Sequence, residues 1–156
     1  MLEVFGLEDE TKWLYIVKQF KSHDVYYLPQ YVKAFQIHGD GETMLFYYQG
    51  KNTRAVNVVM KRDIAGFGHF ADRLDENTLF DLYTPYGYGG FLLEGDRGDA
   101  ALKELDMEYS TWCKNHGIVS EFVRFHPMLN NYLKWSLYIR LSSWGKPSAW
   151  ICLLRR

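Results

Sequence analysis

One stretch of the chain, residues 79–126, constrains the fold more than any other. A β-prone run at 79–84 leads into the glycine-rich segment TPYGYGG at 84–90, and a second β-prone run follows at 118–125. Between them, apolar residues recur three and four positions apart from Leu102 to Cys113, which predicts an amphipathic helix capped by Asp99 and stopped by Gly117. This order of strand, glycine loop, helix and strand predicts an α/β unit whose helix packs on the sheet.

The preceding residues add two helices and a hairpin. Apolar spacing predicts one helix over 11–21, with Thr11 as a possible cap, and a second helix that begins at Pro29 and ends before Gly39. The run at 24–28 is β-prone. Residues 43–48 and 53–61 flank turn-forming residues and predict an antiparallel hairpin. We therefore expect an α/β (α+β) fold, with one mixed sheet flanked by helices in a single domain.

Composition and charge limit the classes of function. The 156 residues suit one domain, and the near balance of 18 basic and 19 acidic residues argues against DNA as a partner. The apolar stretch at 132–154 is interrupted by charged residues, which argues against a membrane span. Two cysteines do not form a disulfide framework, and the acidic N-terminus lacks a signal-peptide pattern, so we expect a cytoplasmic protein.

Five segments resemble a bacterial protein group in their amino-acid sequence and in their order along the chain. They are DVYYLPQY at 24–31, LFYY at 45–48, AVNV at 55–58, TPYGYGG at 84–90 and SEFVRFHP at 120–127. Together they resemble GNAT-fold acyltransferases related to the Fem-type enzymes that build peptidoglycan cross-bridges. The resemblance covers roughly residues 24–131 and implies a GNAT-like domain over 1–137. Because members usually carry two such halves, we expect a truncated domain, with 138–156 as a C-terminal tail or the start of a missing second half.

The resemblance also implies a function. It implies transfer of an acyl or aminoacyl group to an amine on a small molecule or a peptidoglycan precursor. Acyl-CoA would serve as a co-substrate rather than a tightly bound cofactor, and aminoacyl-tRNA is the other donor to consider. The alternative is a non-catalytic half-domain used for binding or self-association, such as a homodimer formed through an apolar tail that contains Trp144 and Trp150.

The glycine segment is the candidate donor-binding element. In a GNAT-like fold the pyrophosphate of acyl-CoA lies on the loop before a helix, where backbone N–H groups favour an anion. The resemblance places Gly87, Gly89 and Gly90 in this loop, whereas the acidic residues that follow it would repel a phosphate. The alternative is a tight turn that shapes a substrate groove.

The second candidate site lies on the strand at 118–125. Strand alternation places Arg124 and His126 on one face and Glu121 on the other. An arginine can hold a carboxylate or a phosphate, and a histidine can move a proton, although an internal ion pair and a satisfied histidine explain the same residues. With the resemblance, we expect His126 and Glu121 to be catalytic.

Substrate contacts are expected from Arg124 and from three tyrosines, for which packing is the alternative explanation. These tyrosines are Tyr26, Tyr86 and Tyr88. Cys113 and His116 have the i, i+3 spacing of a ligand pair, but Cys113 falls on the apolar stripe of its helix, so we expect core packing and no metal site.

Overall fold

The computed structural model describes residues 1–66, 68–71, 73–129, 131, 141–143 and 150–154, the last two ranges by their backbone alone. Within these residues the structure contains three α-helices, eight strands and two short 3₁₀ helices at Leu7–Asp9 and Val25–Tyr27. The helices are α1 (Glu10–Lys18), α2 (Pro29–His38) and α3 (Asp99–Asn115), and the strands are β1 (Leu2–Phe5), β2 (Glu42–Gln49), β3 (Thr53–Asp63), β4 (Phe80–Tyr83), β5 (Leu92–Gly95), β6 (Ile118–Arg124), β7 (Leu141–Ser143) and β8 (Trp150–Leu154).

The strands form one mixed sheet in the order β1-β2-β3-β4-β6-β8-β7, with β5 paired to β3. Among the described strands all pairs are antiparallel except β4 and β6, which run parallel and are joined through β5 and α3. A parallel pair needs a crossover of this kind because its strands must start at the same end. The expected mixed α+β sheet, the hairpin of β2 and β3, and the helix after the glycine segment are therefore confirmed.

One edge of β3 is shared by two strands that lie end to end. Its C-terminal part pairs with β4, where Met60 faces Tyr83, and its N-terminal part pairs with β5, where Val56 faces Leu92. Between these two pairs β3 advances only from Asn57 to Val59. Over the same distance, the segment that connects β4 to β5 makes the long excursion of residues 84–91. We call this excursion the 84–91 detour. It interrupts what would otherwise be one strand, directly beside β6.

Each face of the sheet has its own apolar core. On one face, α3 packs through Leu105 and Tyr109 against Phe46 and Val123. On the other, α1 and α2 pack through residues such as Trp13 and Val32 against side chains of β2 and β3. The buried indole N–H of Trp13 donates to the carbonyl of Tyr27 at 2.9 Å, so its polar group remains satisfied in the core.

The structure corrects two local sequence predictions. The run at 24–28 is not a strand: Val25–Tyr27 forms a 3₁₀ turn, because the Asp24 carboxylate accepts the amide hydrogen of Val25 and caps the turn. Asp99 is not the cap of α3. The cap is Gly98, whose amide donates to the Asp96 carboxylate at 2.8 Å, while Asp99 lies in the first helical turn.

Part of the expected tail belongs to the sheet. β8 pairs with β6 from Ser120 to Arg124, and β7 pairs with β8. Residues 138–140 and 144–149 lie outside the described residues, as do the side chains of Trp144 and Trp150. The boundary expected after residue 137 also falls outside the described residues, and it stays a prediction.

Candidate functional site

A groove lies on the α2 face of the sheet, above the carboxyl ends of the parallel strands β4 and β6. Its volume is about 450 Å³. Open sheets of this type commonly bind ligands at the carboxyl ends of their parallel strands. The groove is lined by Phe35, Asp40, Met60, Arg62, Tyr83, Thr84, Pro85, Tyr86, Phe122 and Arg124.

Arg62 lies at one end of the groove and is fixed by a carboxylate. Its Nε and Nη2 donate to the two oxygens of Asp81 at 3.0 and 2.6 Å, across the register that pairs β3 with β4. Hydrogen bonding to Asp81 raises the pKa of the guanidinium further, which outweighs the opposite effect of its partial burial. Arg62 is thus a rigid, charged part of the floor.

Arg124 lies at the other end, beside the 84–91 detour. Its Nη1 donates to the carbonyl of Gly87 at 3.4 Å. Its backbone amide donates to Thr84 Oγ1 at 3.0 Å, and Gly89 donates its amide to the Arg124 carbonyl at 2.8 Å. The backbone of β6 is therefore satisfied where the detour leaves the sheet, and the Arg124 side chain lines the groove.

Aromatic side chains form the walls and rim. Tyr86, at the tip of the detour, is 76% exposed, and Phe122 is 36% exposed. The carbonyl of Tyr86 accepts the hydroxyl hydrogen of Tyr31 at 2.7 Å, which ties the detour to α2. Tyr83 donates to the carbonyl of Asp40 at 2.5 Å. Burial, and then the Asp40 charge, raise the pKa of Tyr83, so its phenol remains neutral.

His126 lies outside this lining and is held at both ring nitrogens. Nδ1 accepts the amide hydrogen of Met128 at 3.2 Å, so the neutral ring carries its proton on Nε2, which donates to Asp24 Oδ2 at 2.9 Å. The side chain is only 7% exposed. In this arrangement the one acceptor lone pair of the ring, on Nδ1, is engaged by the Met128 amide, and the Nε2 hydrogen is engaged by Asp24. The pair connects the end of β6 to the 3₁₀ turn, and the catalytic role of His126 stays a prediction.

Tyr26 and Tyr88 pack around His126. The Tyr26 ring lies 5.6 Å from that of Tyr88 and 5.3 Å from that of Tyr31, in edge-to-face geometry. The His126 ring lies 5.4 Å from Tyr88. Neither Tyr26 nor Tyr88 lines the groove, so of the three expected tyrosines only Tyr86 is brought to it.

Glu121 lies on the opposite face of the sheet from the groove. It is 2% exposed, and its Oε1 accepts hydrogen bonds from Tyr109 Oη at 3.1 Å and from Asn57 Nδ2 at 3.3 Å. Strand alternation had predicted its separation from Arg124. The structure thus places the two expected catalytic residues, Glu121 and His126, in different environments, and neither lines the groove.

The three glycines of the detour make room for side chains. A Cβ at Gly87 would overlap the Tyr26 ring, a Cβ at Gly89 would lie 2.8 Å from the Thr84 methyl group, and one at Gly90 would lie 2.8 Å from the Phe125 ring. The strand β5 also separates these glycines from the start of α3. This geometry favours the alternative of a turn that shapes a groove, and phosphate binding by the glycines stays a prediction.

Asn131 closes the gap where the detour separates from β6. Its Nδ2 donates to the Gly89 carbonyl at 2.8 Å, and its Oδ1 accepts the His126 amide hydrogen at 3.1 Å. The Asn131 side chain thereby substitutes for strand pairing. The sequence did not predict a role for Asn131, nor for Arg62 and Asp81. Complementary charges on neighbouring strands would have indicated the latter pair only once the register was known.

The structure places Cys113 and His116 in different environments. Cys113 is fully buried in the α3 core, whereas His116 is exposed and stacks on Trp112. Across the described ranges, no group of three or more potential metal-binding His, Cys, Asp or Glu side chains occurs. In the same ranges, no helix has both the length and the apolar character needed to cross a membrane.

Comparisons with protein-family models, with curated proteins and with solved structures find no match to this chain.

Proposed function

We propose that this chain is a GNAT-type N-acyltransferase domain that transfers an acyl or aminoacyl group to an amine, and that the acceptor binds in the groove. The observation that carries the proposal is the interrupted strand formed by β4 and β5. It opens beside β6 at the carboxyl end of the parallel pair, next to the groove. The resemblance of the five sequence segments supplies the reaction class.

The groove suits the acceptor role. Its volume lies within the range of small-molecule sites, and its aromatic walls with a few polar groups are typical of such sites. Tyr86 and Phe122 can contact the body of an acceptor, while Arg62 and Arg124 orient its polar groups. Holding the amine in place lowers the entropic part of the barrier to attack on a bound donor.

The transfer requires no covalent intermediate on the protein. The amine nitrogen attacks the donor carbonyl carbon, a C–N bond forms, and the bond to the thiol or alcohol of the donor breaks. The leaving group takes up one proton, and the amine loses one. We assign that loss to water, because the Nδ1 lone pair of His126 is engaged by the Met128 amide. Acyl-CoA would act as a co-substrate in the cytoplasm.

The test is an acyl-transfer assay with a variant that spares the fold. The chain is incubated with acetyl-CoA, or with aminoacyl-tRNA, and a set of primary amines, and acylated products are detected by mass spectrometry. Tyr86→Ala should reduce product at limiting acceptor at least about fivefold, because it removes a ring from the groove rim. Tyr15→Ala is the matched control, since Tyr15 is 68% exposed on α1 and does not line the groove.

The second candidate function is a non-catalytic half-domain that binds a ligand in the same groove. It is favoured by the engaged ring nitrogens of His126 and by the glycines that pack against side chains. Absence of product with both donors, in a chain that still binds ligands in the groove, would decide for this candidate and against transfer.

A further inference from the structure

The two hydrogen bonds of the His126 ring respond differently to a second proton. Nε2 donates to Asp24 Oδ2 at 2.9 Å, and Nδ1 accepts the amide hydrogen of Met128 at 3.2 Å. A neutral imidazole has one donor and one acceptor nitrogen, whereas the protonated ring has two donors. Protonation therefore keeps the bond to the Asp24 carboxylate and removes the acceptor of the Met128 amide.

No rotation of the protonated ring restores the lost bond, because both of its nitrogens are donors. The N–H of the ring and the N–H of Met128 would then point at each other. Met128 is 80% exposed, so its amide can turn toward water once the ring no longer accepts from it. Separation of Met128 from the ring is therefore the expected response to the proton.

The titratable and charged groups around the His126 ring come from three elements. Asp24 and Tyr26 face it from the 3₁₀ turn, and Tyr88 faces it from the 84–91 detour, with the two phenol rings 6.0 and 5.4 Å away. Arg124, the last residue of β6, precedes His126 by two positions. Asp24 attracts a positive charge on the ring and Arg124 repels it. These charges affect how readily the ring gains a proton, but the proton can only be added at Nδ1.

The residues after His126 are also connected to the detour. Asn131 Oδ1 accepts the backbone amide hydrogen of His126 at 3.1 Å, and Asn131 Nδ2 donates to the carbonyl of Gly89 at 2.8 Å. Leu129 packs against the apolar core beneath α1 and α2. A movement of Met128 away from the ring therefore changes the segment that attaches the detour to the end of β6.

We infer that His126 is a pH-sensitive latch: a proton added at Nδ1 releases Met128 from the ring and loosens the attachment of the 84–91 detour that Asn131 makes at Gly89. Because the detour forms the rim of the groove, the shape of that rim depends on the protonation of His126. The inference follows from the bonds around His126 and does not rest on the proposed function.

The test follows the His126 ring and the backbone amides by NMR from about pH 8 to about pH 5, in the ¹⁵N-labelled 156-residue chain. The amide signals of Met128 and Gly89 and the side-chain amide signal of Asn131 should shift with the same midpoint as the ring nitrogens. Hydrogen exchange of the Met128 amide, corrected for its intrinsic pH dependence, should be at least about threefold faster when the ring is protonated, because one hydrogen bond is lost.

Two variants reproduce the two states of the latch without titrating. In His126→Asn the side-chain oxygen can accept the amide hydrogen two residues on, as in an Asx turn, so Met128 should stay protected at every pH. Asp24 remains in this variant, so an effect of Asp24 titration alone would still be seen. In His126→Gln the longer amide can reach Asp24 but leaves Met128 without an acceptor, so Met128 should exchange as fast at pH 8 as it does in acid in the wild type.

His116→Asn is the matched control, because His116 is exposed at the end of α3 and should not affect Met128. The wild-type titration decides the matter even where a variant does not fold. An unchanged Met128 amide while the His126 ring gains its proton would overturn the inference. The same pH response in His126→Asn, or a ring that gains no second proton before the chain unfolds, would also overturn it. A response at Met128 without one at Gly89 would refute the connection to the detour.

Discussion

Gly87 must satisfy two requirements at once, and replacing it with alanine violates both. Its φ of +109° lies in the region that side chains disfavour, at a cost of about 1–2 kcal/mol. Its missing Cβ also leaves room for the Tyr26 ring. Displacing that ring weakens its edge contacts with Tyr31 and Tyr88, worth about 0.5–1.5 kcal/mol each. We therefore expect Gly87→Ala to lower the free energy of unfolding by about 2–5 kcal/mol.

A second glycine isolates the backbone contribution. Gly39 follows α2 with a φ of +91°, and a Cβ there would meet nothing within 4 Å. Gly39→Ala should therefore cost only the backbone strain, about 1–2 kcal/mol. The loss of unfolding free energy for Gly87→Ala beyond that for Gly39→Ala measures the cost of displacing the Tyr26 ring. In a Tyr26→Ala background that excess should vanish, and Gly87→Ala should cost about as much as Gly39→Ala.

The assay is urea denaturation followed by far-UV circular dichroism and tryptophan fluorescence, with the free energy of unfolding taken by linear extrapolation. Two results would refute the reasoning. One is an equal cost for Gly87→Ala and Gly39→Ala in the wild-type background. The other is a cost of Gly87→Ala that does not change when Tyr26 is alanine.

Three further predictions concern polar groups. Burial alone would raise the pKa of Glu94, but hydrogen bonds and nearby cations outweigh it and lower the pKa in the folded chain. The stabilisation by Glu94 is therefore present above its pKa in the unfolded chain and is lost as pH falls through its pKa in the folded chain. In urea titrations the difference in free energy of unfolding between the wild type and Glu94→Gln should accordingly become smaller in acid. Asn131→Ala should cost about 1–3 kcal/mol, measured by urea denaturation, because it leaves the Gly89 carbonyl without its side-chain partner. Heteronuclear NMR of neutral His126 should show the proton on Nε2; a proton on Nδ1 would contradict the assigned bond to Asp24.

The parts of the fold that the sequence predicts well are those with a long, regular pattern. The helix α3 follows from apolar residues spaced by three and four, and β2 and β3 follow from β-prone runs around a turn. Strand β5 was missed, because its four residues carry no alternation and are recognisable only through pairing with β3. The 3₁₀ turn at Val25–Tyr27 was missed because one side-chain hydrogen bond overrides a β-prone composition.

The site was predictable only in part, for a related reason. Local order along β6 placed Arg124 on a different face from Glu121, as the structure has it. Arg62 and Asp81 become partners only through the register of β3 with β4, which involves residues far apart in the chain. The ring environment of His126 depends on Asp24, more distant still. The alternation of side chains along one strand predicts the face of the sheet on which each residue lies. It cannot predict which residues from distant parts of the chain pack against that residue.

The shared edge of β3 has a consequence for how this domain can change. The two ends of the 84–91 detour are anchored by Met60 and Val56, and only the three residues between those anchors set the gap that it must span. The length of the detour is therefore independent of the hydrogen-bond ladder on either side. Residues could be inserted or deleted around Tyr86 without shifting the register of β4 or β5. The rim of the groove could thereby change shape while the strand pairing of the sheet stays the same.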